Sequence, residues 1–193
     1  MRTFVYFSST ARTSGNFSVD SLMDAGRMDI AIHVIINAFF LSHSLRDDVV
    51  LHLIFYGAPD PPKHIEIHVS EETKLSKKDV ANLLKKVLYK YRPGQKTEAA
   101  PGCFIEKKSF LDVIGEIAKE GKEIFILDKK GKNIREAEIG KNSAFVLGDQ
   151  NGLPKKELKR LKKITETISV GPKVYFASQV VSILNNEIDL RGF

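Results

Sequence analysis

The chain has 193 residues, 42% hydrophobic and 28% charged, enough for one domain, alone or with an extension, that buries a real core. No stretch approaches 18 uninterrupted apolar residues, the opening residues lack the pattern of a secretory leader, and the lone Cys103 excludes an internal disulfide or a cysteine-rich zinc site, so a soluble, cytoplasmic protein is expected. The net charge of +6 is concentrated: eight basic residues stand against Asp79 between 74 and 96, and six against Glu157 between 155 and 163. Such clusters suit a phosphate backbone, though lysine-rich helix faces are often only solvated.

Strand and helix patterns alternate along the chain. TFVYFSS (3–9) is β-like and is followed by the polar loop TARTSGNFS. Residues 18–42 carry Ile30, Val34, Ala38 and Leu41 at spacings of three and four, which predicts a long helix. VVLHLIFYG (49–57) reads as a buried strand and HIEIHVS (64–70) as a half-exposed one. Ser76 with Asp79 resembles a capping box opening a helix to about Tyr91. RPGQKTEAAPG (92–102) has no apolar period and two Pro-Gly signals, so it reads as a linker, with Cys103 at its end and without an evident role. Ser109 caps FLDVIGEIAKEG. Then come a short strand EIFIL (123–127), a charged loop, a strand AFVL (144–147), a basic helix opened by Pro154, a strand ITETISVG (164–171) and a closing amphipathic helix. Short apolar strands separated by helices indicate an α/β fold on a parallel sheet.

In open α/β sheets, ligands lie beyond the carboxyl ends of the strands. Three such ends fall in the last 70 residues, at Leu127-Asp128, Leu147-Gly148-Asp149 and Val170-Gly171-Pro172. Glycine at two of them allows close backbone approach. The chain has neither a G-x-G-x-x-G nor a P-loop, which disfavours a nicotinamide enzyme. A ligand here would meet backbone amides and apolar walls. His52, His64 and His68 show no metal-ligand spacing along the sequence, so no metal is expected, and His33 in its apolar stripe reads as a core histidine.

FVLGDQNGLP (145–154) with ISVGPKVYFASQVVSILNNEIDL resembles the C-terminal signature of the SPOUT methyltransferases. STARTSGNFSVDSLMDAGRMDIAIHVIINAFFLS and FYGAPDPPKHIEI narrow the likeness to the archaeal tRNA (pseudouridine-54)-N1-methyltransferase family, TrmY, over nearly the whole chain. The resemblance implies a single SPOUT domain over 1–193. It would have a deep trefoil knot at about 123–190 and an N-terminal part, 1–92, bearing a substrate-side loop at 8–20. It implies S-adenosylmethionine held at Leu127, Leu147, Gly148, Ser169, Val170, Gly171, Val174, Phe176 and Val180, with free amides at Gly148 and Gly171 reading the adenine. It also implies methylation of pseudouridine N1 in the tRNA T loop by a homodimer packed through its knot helices, for which the apolar face Val174, Val181, Leu184 and Ile188 is compatible. Many relatives have His-Ile where this chain has Gln150-Asn151, and some have cysteine at Val180, so a mechanism using a histidine in that loop does not carry over.

Within that frame the loop 8–20 is the candidate holder of the target nucleoside. Arg12 can fork onto a phosphate or a uracil carbonyl, and Ser14 and Asn16 offer small polar contacts. Asp20 fits equally a proton acceptor or a dipole-favoured first helical turn. Arg27 with Asp29 reads as a salt bridge, and Asp149 either faces the sulfonium or caps its turn. Lys77, Lys78, Lys85, Lys86 and Lys90 are expected to guide the RNA backbone toward a target base turned out of its stack. An enzyme acting on ribosomal RNA pseudouridine, or an RNA-binding protein without activity, are the alternatives.

Overall fold

The computed structural model describes residues 1–69 and 79–193. In chain order the elements are β1 (Arg2–Ser8), α1 (Met28–Phe39), β2 (Val49–Phe55), β3 (Lys63–His68), α2 (Val80–Tyr89), β4 (Thr97–Ala100), β5 (Cys103–Glu106), α3 (Phe110–Lys119), β6 (Glu123–Asn133), β7 (Ser143–Gly148), α4 (Lys155–Leu161), β8 (Glu166–Ser169) and α5 (Ala177–Leu190). The eight strands form one sheet in the order β4-β5-β3-β2-β1-β7-β6-β8. The run from β2 to β8 is parallel, and β3, β5 and β4 extend it antiparallel at the other edge.

Every residue of β1 and β2 is buried, because helices cover both faces of the sheet's centre. One face carries Phe4, Tyr6, Leu51, Leu53, Phe145 and Leu147 against α1, α2 and α5. The other carries Val5, Phe7, Ile126 and Val146 against Phe110, Val113, Ile114 and Ile117 of α3 and Leu161 of α4. Each such side chain contributes about 1.5–3 kcal/mol on leaving water.

The helix predicted over 18–42 is shorter than its pattern. Residues 19–27 are turns, and α1 starts only after Gly26 (φ 71) and Arg27 (φ 64), both left-handed and incompatible with an earlier helical turn. Ile30, Val34 and Ala38 of the predicted stripe are buried on α1, whereas Leu41 lies beyond its end and is exposed, and His33, expected in the core, is exposed as well. The predicted linker is also corrected, because its residues 97–100 and the following 103–106 form the β4–β5 hairpin. Cys103 lies fully buried on β5, where burial beside Glu98 pushes its thiol up to about 11. The charged loop after Leu127 is partly strand: β6 bulges and resumes pairing at Lys132↔Ile168 and Asn133↔Ser169. Ser109 caps α3 as expected, accepting from the Asp112 amide. The Ser76 half of the other capping box lies outside the described residues; Asp79 precedes α2 without a side-chain cap bond.

Arg2, 5% exposed, fixes the start of β1. Its guanidinium donates to Asp48, Asn185 Oδ1, Asp189 and the Phe193 carbonyl. Arg191 at the end of α5 donates to the Ile134 and Ala137 carbonyls, which holds the last helix against the segment between β6 and β7.

Candidate active site

The carboxyl ends of β6, β7 and β8 open into one cavity of about 570 Å³, a size suited to a small-molecule ligand. Leu127 and Asp128 come from β6. Leu147, Gly148, Asp149, Gln150, Gly152 and Leu153 come from β7 and its turn, and Ser169 and Val170 from β8. Lys173 to Ala177, Gln179 and Val180 close one side, and Arg27, Ile30, Lys129 and Leu158 complete the lining. Eight of the nine residues assigned to the cofactor by resemblance line this space; Gly171 stands beside it.

Local chemistry explains the loop shapes. Asp149 caps its own turn, its carbonyl accepting from Gly152 N at 2.9 Å and its Oδ1 from Asn151 N at 2.8 Å. A Cβ on Gly148 would stand 2.5 Å from the Gly152 carbonyl carbon, so only glycine lets the turn fold back this tightly. On β8, the Ser169 hydroxyl donates to the Gly171 carbonyl at 2.8 Å and accepts the Gly171 amide at 3.2 Å. The Gly171 amide is therefore spent within its own loop, contrary to the expectation that it is free for a ligand.

The second function of Asp149 was not visible in the sequence. Its carboxylate is buried, and Oδ2 accepts from Ser8 Oγ at 3.0 Å, Ser9 N at 2.8 Å and Ser9 Oγ at 3.1 Å. Asn151 Nδ2 adds a bond to Ser9 Oγ at 3.0 Å, and Gln150 Nε2 reaches Thr10 Oγ1 at 3.5 Å. The cavity turn is thus bonded directly to the start of the loop 8–20. The only sequence signal was a polar turn facing another polar loop about 140 residues away.

The loop 8–20 is held rather than free. Thr13 Oγ1 donates to the Gly57 carbonyl at 2.9 Å and accepts from Asp60 N, and the Arg12 amide donates to the Ala25 carbonyl. Gly15 lies so close to α2 that a Cβ would meet the Tyr89 ring at 2.4 Å. Lys85, expected on RNA, turns inward and donates to the Phe17 carbonyl at 2.7 Å. Lys86 and Asn16 are exposed and Ser14 half-buried; Lys77 and Lys78 lie outside the described residues. Arg12 is half-buried, and its Nε is shut off from solvent with no hydrogen-bond partner among the described residues. Asp20 is exposed, and neither Arg12 nor Asp20 lines the cavity.

Arg27, left out of the sequence-derived site, does line it. Its left-handed backbone places the guanidinium as a fork on Asp29, with two bonds of 3.0 Å. The hydrogen bond from Arg27 holds the Asp29 carboxyl below its ordinary range. Tyr6 lies beneath, fully buried, with a hydroxyl that burial and then Asp149 push upward, so it stays protonated.

Folding also groups the histidines that looked scattered. Antiparallel pairing sets His52 opposite Glu66, with His64 on the same face, and ligand atoms of the three residues lie within 4.8 Å of one another. The expectation of no metal-ligand grouping is corrected by this register, which sequence spacing cannot show.

All of residues 1–193 match the family described as "Putative SAM-dependent RNA methyltransferase". The chain belongs to this family. A tRNA (pseudouridine(54)-N(1))-methyltransferase of Methanococcoides burtonii is 35% identical over 98% of this chain and 96% of its own length. Another of that description, from Thermococcus kodakarensis, is 34% identical over 98% and 99%. A Vibrio parahaemolyticus protein described as "Putative pseudouridine methyltransferase" is 34% identical over the full length of both chains. In fold the chain is similar to Archaeoglobus fulgidus Nep1, solved bound to S-adenosylhomocysteine, with a TM-score of 0.57 at 14% identity over 100% of this chain and 99% of that one. The SAM-dependent RNA methyltransferase has the SPOUT fold, and S-adenosylmethionine is its cofactor.

The residues present fit that cofactor. Apolar walls at Leu127, Leu147, Val170 and Val180 suit an adenine ring.

Proposed function

We propose that this protein methylates N1 of pseudouridine at position 54 in the T loop of tRNA. The observation that carries the reading is the end-to-end similarity to archaeal proteins of that description, joined to a cavity at the strand ends that is bonded to the loop 8–20.

Bound S-adenosylmethionine supplies an electrophilic methyl group on sulfur. Leu127, Leu147, Gly148, Ser169, Val170 and Val180 wall it in, Val174 and Phe176 stand on the exposed side of the cavity, and Gly171 shapes the loop. Pseudouridine N1 bears an acidic imino proton, so the transfer needs in-line placement and loss of that proton, with no covalent enzyme intermediate. Asp149 positions Ser8 and Ser9, and through them the loop that brings in the nucleoside. Arg12, half-buried in that loop, grips a phosphate or uracil carbonyl, and the exposed Asp20 accepts the proton. Positioning supplies most of the rate.

The RNA backbone runs over Ser14 and Asn16, Lys86 on α2 and the exposed lysines of α4, with Lys77 and Lys78 belonging to the same basic stretch. Support for a trefoil knot at 123–190 comes from the β6–β8 pairing on both sides of the bulge and from the grip of Arg191 on the segment through which α5 would pass. A homodimer is part of the proposal, but its apolar face differs from expectation. Val181, Leu184 and Ile188 are buried within the subunit, whereas Val174 and Phe176 are 80% and 69% exposed and suit an interface. A cytoplasmic location goes with a tRNA substrate and is part of the same proposal.

The test uses radiolabelled S-adenosylmethionine with T-loop transcripts bearing uridine or pseudouridine at the target, plus a pseudouridine stem-loop unrelated to tRNA. Label in the pseudouridine T loop alone is expected. Label in the unrelated stem-loop instead would favour the broader description of the Vibrio relative, and label in none, despite cofactor binding, would overturn the reading.

A further inference from the structure

On the sheet face opposite α1 and α2, beyond the cover of α3, lies a cluster that methyl transfer does not use. His52 on β2 is 8% exposed and His64 on β3 is 2% exposed. His52 Nδ1 stands 2.9 Å from His64 Nε2 and 3.8 Å from Glu66 Oε2. The other nitrogen of His64, Nδ1, is 3.0 Å from Glu106 Oε1 on β5. An ionised carboxylate only accepts, so Glu106 fixes the proton of His64 on Nδ1 and leaves the Nε2 lone pair facing His52 and Glu66. A carboxylate behind a histidine whose other nitrogen looks into a cluster of donors is the arrangement that orients metal-bound histidines.

We propose that His52, His64 and Glu66 form a binding site for a divalent transition-metal ion of the zinc class, with Glu106 as its positioning residue. Two imidazoles and one carboxylate are a ligand set that zinc takes readily, with a fourth position left for water. Metal–ligand bonds of about 2.0–2.1 Å in a tetrahedron separate ligand atoms by about 3.3 Å. The present separations of 2.9 and 3.8 Å bracket that value, so small ring shifts suffice. Without metal, His52 donates its Nδ1 proton to His64; with metal, that proton moves to Nε2 of the same ring and Nδ1 becomes a ligand, with no net proton released. Lys96, 2.9 Å from Glu66 Oε2 and 41% exposed, is the group displaced, one cation replacing another at the same oxygen. Glu66 keeps its second oxygen on His68 Nε2 at 2.6 Å. The bound ion would tie β2 to β3 and, through Glu106, to β5.

The experiment titrates CoCl₂ into chelator-treated, tag-free full-length protein and follows visible absorption. The expected result is the d–d spectrum of four-coordinate Co²⁺, saturating at one equivalent and bleached by ZnCl₂. Glu66→Gln, at a partly exposed position where folding is readily checked by circular dichroism, should remove it. Glu106→Gln should weaken binding about 10–100-fold. Replacement of the exposed His43 by Ala should change nothing. A wild-type protein without the spectrum, or a spectrum that survives both Glu66→Gln and His64→Gln, overturns the proposal.

Discussion

Asp149 commits one carboxylate oxygen to three donors from Ser8 and Ser9 and the other to the Asn151 amide. One side chain therefore joins two parts of the molecule, since the turn it caps lines the cavity and the serines it holds begin the loop 8–20 proposed to hold the nucleoside. Asp149→Asn keeps the shape but presents an amide donor where an acceptor is needed. Displacement of a reacting group by about 1 Å costs about a hundredfold in rate. Single-turnover methyl transfer by Asp149→Asn should fall by about that factor, while cofactor affinity, resting on apolar walls and backbone, changes far less. An unchanged rate would remove Asp149 from the positioning role. Gln150 and Asn151 fit the same picture, for both bond to the loop at Thr10 and Ser9 and neither is placed to act as a base.

Among the elements, α5 is secured at both the start of the chain and the β6–β7 segment. Asp189 accepts from Arg2 at 3.0 Å and forms a two-pronged pair with Arg46. Burial pushes the Asp189 carboxyl up, but the bonds from Arg46 and Arg2 outweigh it and leave it below its ordinary 3.8. A depressed carboxylate stabilises the fold above its unfolded value, because the unfolded chain binds the proton more readily below it. Thermal stability should therefore decline as pH drops below about 4. Asp189→Asn, weaker at neutral pH, should show a shallower decline in melting curves recorded across that range; parallel curves would deny the clamp. The apolar runs behind β1, β2 and β7, and Ser109 before α3, were legible because local pattern alone decides them. The β4–β5 hairpin was not, since four-residue strands carry too little alternation and its pairing partners are set by β3. The helix read over 18–27 shows the converse, a periodicity seen at 30–41 carried too far toward the N-terminus, where the left-handed Gly26 and Arg27 end it. Of the nine residues that the resemblance assigns to the cofactor, eight line the cavity; the strand ends at Leu127, Leu147 and Val170 were legible from pattern, the remainder only from the resemblance. The bond from Asp149 to Ser9, and the grouping of His52 with Glu66, depended on strand register and could not be read from spacing.

Across the whole molecule, positive charge borders the cavity. Leu153 and Leu158 line it, and the intervening helix presents Lys155, Lys156, Lys159 and Arg160 to solvent. Lys162 is instead paired with Asp128 at 2.7 Å. Phosphate neutralisation releases counterions, so tRNA affinity should fall linearly on a log–log plot against salt. Replacing those four residues with Gln should reduce the slope by roughly 1 for each phosphate that is no longer neutralised; a slope equal to wild type would move the RNA elsewhere. The central position of β1 has one more consequence, which concerns synthesis. Its first partner, β2, follows within 50 residues, but β7, which covers its other edge, lies about 140 residues downstream. At about 5–20 residues per second, a ribosome leaves that apolar edge open for roughly 7–28 s. Through that interval the nascent protein displays a template for foreign strands, so slower translation should lower the yield of folded protein without changing the stability of the finished sheet.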